Sequence, residues 1–418
     1  MKQTIGVNGK DSCSACGACF AICPKRAITM SEDEYGFLYP SIDQGLCVSC
    51  GKCFSICKNI KQMIATTPLN VYAAAGKDKE LVFSSASGGI FASMAKQVLN
   101  DGGKIAGAVM ILEDGILEVR HLMSEMVQDL YQMQGSKYVQ SDAWKCYDEV
   151  LEAVKNGDTV LFSGTPCQVA AIKSITGNPH NLITIDIVCH GVPSVTMLRA
   201  YVDILSKRFM GIIEGFSFRD KTCRKAYCAR INVKRGNMNH RYYLRSSYIS
   251  FYKYFLEGLI CRENCYYCSF ACKERISDIT IGDYWGIEQI HAKEIQSDRY
   301  KAHQHWSCLL INTEKGKQLL DQCGSSLDLI PSKLEWAALA NQQLNAPSIK
   351  PEKREAVLSA FAHGGYKEVE RGFKKESGGN LRFFWRSYRD MKRNARNKSV
   401  PLSKIYENRT YEKCNKNN

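Results

Sequence analysis

Eight cysteines near the start of the chain stand in two runs of one spacing. The first run is Cys13-x2-Cys16-x2-Cys19-x3-Cys23-Pro24, and the second is Cys47-x2-Cys50-x2-Cys53-x3-Cys57. This is the bacterial spacing that holds paired [4Fe–4S] clusters, in which the fourth cysteine of each run ligates the other run's cluster. One expected ligand set is therefore Cys13, Cys16, Cys19 and Cys57, and the other is Cys47, Cys50, Cys53 and Cys23. Small residues between the ligands (Ser14, Ala15, Gly17, Ala18; Ser49, Gly51) let the backbone fold tightly around a cubane and aim N–H groups at its sulfurs. Paired C-x2-C also builds zinc sites, but zinc takes four thiolates per site, not two complete four-cysteine runs with crossed ligation. Two such clusters imply a protein that moves electrons.

A second group of cysteines lies farther along. Cys261-x3-Cys265-x2-Cys268-x3-Cys272 offers a local four-thiol set suited to structural zinc. Alternatively, Cys265 and Cys268 join Cys167 and Cys189 around one cluster, and spacing alone leaves both arrangements open. Cys146, Cys223, Cys228, Cys308, Cys323 and Cys414 fit no ligand spacing and read as ordinary free thiols. His190, beside Cys189, has the chemistry of a base, although one histidine next to a loop is more often structural. Ser84-Ser85-Ala86-Ser87-Gly88-Gly89 opens a helical pattern whose N–H groups can hold a phosphate. The same residues also serve as a plain helix cap. Gly135-Ser136-Lys137-Tyr138 is a second small, polar break.

These residues need elements to carry them. Residues 58–70 read as a linker. Strands are expected over 71–75 and 106–112, with an amphipathic helix between them. Its Ile90, Phe91, Met94, Ala95, Val98 and Leu99 recur at a 3.6 period, and Asp101-Gly102-Gly103 stops it. A helix over 141–156, a buried strand over 159–163, a helix running through Ile175 and a strand over 182–188 follow. Strand–helix–strand in that order is a parallel βαβ unit with a right-handed crossover. Cys167 and Cys189 then sit just past the carboxyl ends of strands, where α/β sheets place ligands. Farther on come a helix over 194–208, β-structure at 216–220, 231–235 and 242–245, and an aromatic helix over 247–258. A strand over 308–312 and a helix from Glu314 close the globular part near Pro331. The fold class is α/β (α+β): a small dicluster domain (1–65), a larger α/β domain with a partly parallel sheet (70–158 and 159–331), and a basic, mostly helical tail (332–418).

The chain of 418 residues is long enough for two or three domains and a substantial core. Twenty cysteines, with no apolar leader in Met1 to Asp11, point to a reducing compartment and metal ligation. No apolar run approaches a membrane span, so a soluble cytoplasmic protein is expected. The formal net charge is +14, with much of the excess beyond Lys350. There Leu381, Phe384, Trp385, Tyr388, Met391 and Ala395 share one helical face, beside Arg382, Arg386, Arg389, Arg393 and Arg396. Such a face suits peripheral contact with an anionic membrane surface, or packing on the body with the arginines solvated. No nucleic-acid motif accompanies the charge, and nucleic acid is not an expected partner.

The ordered segments SSASGGIFASM, QGSKYVQS, LFSGTPCQVAAI, DIVCHGVPS, CYYCSF and SDITIGDYWG resemble the family of coenzyme F420 hydrogenase/dehydrogenase beta subunits. Many of its members carry an N-terminal dicluster ferredoxin, and the likeness runs from about Cys13 to about Cys323. The resemblance implies a flavoprotein that binds FAD, exchanges hydride with F420 or another substrate, and passes electrons singly to clusters. It implies a third [4Fe–4S] cluster on Cys167, Cys189, Cys265 and Cys268, which favours the split set over local zinc. It also places the Ser87-Gly88-Gly89 turn and the Gly135, Ser136, Lys137 and Tyr138 loop at the flavin, with Lys137 favouring an anionic reduced form. Arg262-Glu263-Asn264 departs from the common pattern, in which a proline precedes the Cys265 pair. Substrate identity is left open, because the family includes ferredoxin-coupled reductases and members associated with surface-polysaccharide synthesis.

The expectation is an oxidoreductase that links a redox partner or soluble carrier, three clusters, FAD and a two-electron small molecule. The alternative is an electron-transfer adaptor with no substrate of its own. A cluster-bearing scaffold that binds a partner through its tail is the remaining reading.

Overall fold

The computed structural model describes residues 5, 9–113, 115–222, 227–379, 382 and 386–389. In the small ferredoxin-like domain, β1 (Ile28–Glu32) and β2 (Leu38–Ile42) pair antiparallel between the cysteine runs. Helix Lys52–Lys61 carries the end of the second run and continues past Cys57, so the first residues expected as linker are helical. The larger domain contributes β3 (Asn70–Gly76), β4 (Lys104–Glu113), β5 (Ile116–Ser124), β6 (Val160–Gly164) and β7 (Leu182–Ile187). It goes on with β8 (Ile212–Ser217), β9 (Cys228–Arg235), β10 (Met238–Arg245), β11 (Ile279–Asp283), β12 (Ser307–Ile311) and β13 (Leu327–Pro331). Eight of these form one mixed sheet in the order β13-β3-β12-β11-β7-β6-β4-β5, and β10-β9-β8 form a separate antiparallel sheet.

The middle of the large sheet is parallel: β4 with β6, β6 with β7, and β7 with β11. Strands buried on both faces read as continuous apolar runs, and Val160, Leu161 and Phe162 of β6 are fully buried. Leu161 and Ile185 pack with Met94, Val98 and Leu319 from helices Ile90–Asn100 and Glu314–Cys323. Phe162 packs with Val150, Val169 and Ile172 from helices Tyr147–Lys155 and Pro166–Thr176. Buried charge fixes β11 beside β7. Arg275 pairs with Asp186 at 2.9 Å, and Asp186 also accepts from Thr280 at 2.6 Å. Asp278 accepts from the Thr184 amide and hydroxyl at 2.8 and 2.7 Å. Removing one partner of such a pair would strand a buried charge.

The expected βαβ unit is present, with β6 and β7 adjacent and in register from Val160↔Leu182 to Gly164↔Asp186. The globular body does not close near Pro331. Helix Arg354–Glu376, bent at Gly365 (φ 64°), buries Leu358, Tyr366, Val369 and Phe373 in the same core as Tyr201 and Phe251. Glu370 is ion-paired with Arg208 there. These apolar positions were hidden within a segment that reads as basic overall. Of the proposed tail face, Arg382, Arg386, Tyr388 and Arg389 are exposed. Leu381, Phe384, Trp385, Met391, Arg393, Ala395 and Arg396 lie outside the described residues. No helix among the described residues is long and apolar enough to cross a membrane. Cys146, Cys308 and Cys323 are buried free thiols, as expected. Cys228 is instead disulfide-bonded, a pairing that a search for ligand spacing does not detect; Cys223 and Cys414 lie outside the described residues.

The small domain docks on the helices covering β6. Ala18, Ile56 and Ile60 share a core with Trp144, Tyr147 and Val169, and the Tyr147 hydroxyl donates to the Cys16 carbonyl at 2.9 Å. At Gly17, whose φ is 78°, a methyl would lie 2.5 Å from Trp144 Cβ. Gly17→Ala is therefore expected to destabilise by about 1–3 kcal/mol through overpacking and a disfavoured backbone. Limited proteolysis should then cut sooner in the segment 62–69. An unchanged melting point and cleavage rate would contradict this account of the docking.

Candidate functional site

The two cysteine loops are wound alike. Ala15 and Gly17 in the first have φ of 50° and 78°, and Ser49 and Gly51 in the second have 50° and 76°. Non-glycine residues rarely take positive φ, and its recurrence at matching positions marks two loops shaped for the same object. The thiol nearest neighbours are crossed. Cys19 faces Cys16, Cys13 and Cys57, while Cys23, Cys47, Cys50 and Cys53 line one small cavity. Burial pushes the Cys16 thiol up to about 12 and raises Cys19 as well. Buried thiols that resist ionisation are held as thiolates once they bind metal. The donor sets fit two cubanes.

A third thiol group forms at the carboxyl edge of the sheet. Cys167 opens helix Pro166–Thr176 just after β6, where a Thr165/Gln168 capping box and Pro166 start the helix. Cys189 follows β7. Cys189 lies in the field of Cys265, Cys167 and Cys268, and Cys265 and Cys268 each feel Cys167. Burial pushes Cys265 up to about 12 and Cys268 up to about 11. Gly191 permits the approach: at φ 121°, a methyl there would lie 3.0 Å from Cys261 Sγ and 3.3 Å from Cys265 Cβ.

The structure does not assemble the local alternative. Cys272 donates to the Ser269 and Glu274 carbonyls at 3.6 and 3.2 Å, and its charged neighbours are Arg275, Glu274 and Asp186. Cys261 is fully buried in the aromatic core, beside Cys265. Among the described residues, no three His, Cys, Asp or Glu side chains converge as a single ion requires. A tetrahedral zinc with Zn–S near about 2.3 Å needs that convergence, whereas cubane thiolates each bind a separate iron and stand wider apart.

Cys167 and Cys189 also line a cavity of about 380 Å³, a size in the range of cofactor sites. Ser87, Gly89, Gly135, Ser136, Lys137 and Tyr138 line the same cavity. Gly88 does not; a methyl there would lie 2.5 Å from the Ala74 carbonyl and 2.9 Å from the Ser307 amide. It lets the turn press against β3 and β12, where Gly88 N–H donates to Ser307 Oγ at 2.9 Å and Ser87 Oγ to the Trp306 carbonyl at 2.9 Å.

Lys137 is not a solvated surface lysine. Its Nζ donates to the carbonyls of Gln132, Met133 and Gln134 at 2.8, 2.7 and 2.8 Å, capping helix Val127–Met133. Burial pulls its pKa down to about 7, while the helix carbonyls favour the ammonium form. Its donors are thus committed to the fold, and it contributes charge to the cavity rather than hydrogen bonds.

Two buried polar atoms of cavity-lining residues, His190 Nε2 and Gln134 Oε1, have no hydrogen-bond partner among the described residues. Buried polar atoms are rarely left unpaired; Gln134 Oε1 is such an atom at the cavity wall, while the His190 ring also lies against the Phe255 and Leu256 backbone. His190 Nδ1 meets Gln343 at 3.2 Å, and its ring lies edge-on to Phe255. His121, pushed down to about 4 by burial, is neutral. Its Nε2 faces the Ser163 carbonyl and its Nδ1 the Ser141 hydroxyl, which sets the proton on Nε2.

Sequence reasoning missed three contributors. Gln140 joins the cavity wall to the first cysteine loop, donating from Nε2 to the Ser14 and Ala15 carbonyls at 3.2 and 3.1 Å. Arg262 donates from Nε to Gln140 Oε1 at 3.0 Å. Arg219, paired with Asp283 at 2.5 Å, lies 5.7 Å from the Tyr227 and Trp285 rings, and all four line the cavity. The available signals were positions inside QGSKYVQS and GDYWG, and a charged residue wedged between Cys261 and Cys265.

Residues 157–333 match the family model for the C terminus of the coenzyme F420 hydrogenase/dehydrogenase beta subunit, and residues 12–59 match a 4Fe-4S dicluster domain. A subunit of the F(420)H(2) dehydrogenase of Methanosarcina mazei is 27% identical over 182 residues, 42% of this chain and 51% of that protein. The chain thus spans about half the length of the curated relative it matches. Among solved structures, a chain of the F420-reducing [NiFe] hydrogenase complex from Methanosarcina barkeri matches at 14% identity and a TM-score of 0.43, over 72% of this chain and 94% of that one. The resemblance read from the motifs is borne out by the two family-model matches.

A cubane on the third thiol group, added to the two of the dicluster domain, would bring anaerobically isolated protein to about twelve irons per chain. Cys167→Ala or Cys189→Ala should cost about four irons, and Cys272→Ala none. Cys57→Ala should damage the cluster otherwise held by Cys13, Cys16 and Cys19. About eight irons with one zinc, the zinc lost in Cys272→Ala, would instead establish the local site.

Proposed function

We propose that this chain, which joins a 4Fe-4S dicluster domain to the C-terminal part of an F420 hydrogenase/dehydrogenase beta subunit, is a flavin- and iron–sulfur-dependent oxidoreductase. The single observation that supports it most is the shared wall. Cys167 belongs to the third thiol group, lies in the field of Cys16 of the first, and lines the cavity. One side chain therefore joins the third thiol group to the cavity wall, within electrostatic reach of the first cysteine loop.

In this reading Cys13, Cys16, Cys19 and Cys57 hold one cluster, Cys47, Cys50, Cys53 and Cys23 the second, and Cys167, Cys189, Cys265 and Cys268 the third. The cavity holds FAD, which when bound exchanges an electron pair with a substrate and single electrons with a cluster. The chain's own residues bind and orient it. The Ser87–Gly89 turn, held from outside by Lys221 through the Val82 and Ser87 carbonyls, presents the amino end of helix Ile90–Asn100 to the cavity, where an anionic group is favoured. Tyr138, stacked on Phe255 with ring centres 4.6 Å apart, gives the cavity an aromatic wall. Lys137 adds positive charge, and Gln134 Oε1 meets a polar group of the ligand.

The substrate is F420 or another two-electron small molecule, with surface-polysaccharide precursors one such class. The partner is a redox protein or soluble carrier that meets the small domain, and the setting is the cytoplasm. The rival is an electron adaptor without its own substrate; the cavity, with its unpaired Gln134 Oε1, favours the oxidoreductase.

Anaerobic purification followed by flavin release should yield about one FAD per chain. Absence of flavin from protein with full iron would leave the adaptor. The tail is proposed to touch an anionic membrane surface. Full-length protein should then sediment with anionic vesicles at low salt and not at high salt, and a chain ending at Gly379 should not sediment. Equal binding by the shortened chain would remove the tail from this role.

A further inference from the structure

Arg262 is 1% exposed and the largest of the fully buried side chains. It occupies the seam between the small domain and the sheet's carboxyl edge. Nε donates to Gln140 Oε1 at 3.0 Å, one Nη to the Leu38 carbonyl at 2.9 Å, and the other points at the Cys13 carbonyl at 3.5 Å. The guanidinium lies 4.7 Å from the Tyr39 ring centre and 5.3 Å from that of Phe37. Every one of these partners is neutral.

The other buried arginines differ. Arg275 is paired with Asp186, Arg354 with Glu263 and Glu355. A buried cation without a counter-ion is costly. No carboxylate faces Arg262 among the described residues. What stands beside it is the backbone of both cysteine turns: it reaches the Cys13 carbonyl, and its own carbonyl accepts from the Cys265 amide at 3.0 Å. A cubane with four thiolates is an anion, and each electron added makes it more so.

We infer that Arg262 is the counter-charge shared by the cluster at Cys13 and the cluster at Cys167 and Cys265. It is a positioning residue for electron transfer between them. A positive charge fixed beside a cluster stabilises the reduced state more than the oxidised one, so it raises the reduction potential. The arginine does this while its three hydrogen bonds join both domains, so alignment and potential depend on one side chain. This inference rests on the ligation proposed above.

The test is a redox titration of the full-length, cluster-loaded protein, followed by electron paramagnetic resonance. In Arg262→Gln, at least one of the two clusters should become harder to reduce by about tenfold in its equilibrium, or ~59 mV for one electron. The cluster on Cys47, Cys50, Cys53 and Cys23 should not move. Arg262→Lys, which keeps the charge, should shift less than half as far. Should Arg262→Gln fail to accumulate, Gln140→Glu puts a carboxylate against Nε and should lower the same potential. Unchanged potentials in a neutralised variant that holds its full iron would overturn the inference and leave Arg262 as a structural seam. Iron content of the parent protein judges the ligation separately: a parent with about eight irons would remove the third cluster, while the response of the Cys13 cluster would still judge Arg262.

Discussion

Single electrons cross protein only between centres held close together. Electron passage would therefore depend on how firmly the Cys13–Cys16 loop is seated against the ends of β6 and β7. That seat is built from unlike forces acting on a few residues. Trp144 fills the space that Gly17 leaves, and Tyr147 ties the Cys16 carbonyl to the helix layer. Gln140 holds two loop carbonyls, and Arg262 crosses the seam beneath them. Apolar burial supplies the adhesion, and the hydrogen bonds supply the register. A small domain resting on apolar contact alone could slide by a residue's width, and its clusters would slide with it.

The sheet serves the same end. Parallel β6 and β7 deliver Cys167 and Cys189 to one edge, and the buried Arg275–Asp186 pair brings β11 and the preceding cysteine turn alongside. From there the cavity opens beside the Ser87–Gly89 turn and the Lys137 loop. Five chain segments thus meet at one place. A cluster bound there would staple the three that carry thiols, and metal affinity would then also be folding free energy.

Much of this was legible in the sequence where the signal is local. The crossed cysteine runs carry their meaning in their spacing, and a βαβ unit announces itself through buried strands around a helix. The third thiol group was not legible from spacing alone, because Cys265 could close on Cys272 or on Cys167, and only packing chooses. Helix Arg354–Glu376 reads as basic tail, since its buried Leu358, Tyr366 and Phe373 are diluted by solvated lysines and glutamates. Lys137 reads as a surface or ligand-facing charge, yet it caps a helix. Arg262 reads as a mere departure from a pattern; its significance depends on burial and on having no ion-pair partner among the described residues, neither of which one chain position reveals.

The proposed function requires three one-electron centres and one two-electron centre in this chain. Counting electrons tests it most directly. Anaerobic reductive titration of fully loaded protein should take up about five electrons per chain, three for the clusters and two for the flavin. Uptake of about two electrons by protein holding about eight irons and no flavin would confine redox chemistry to the dicluster domain and contradict this reading.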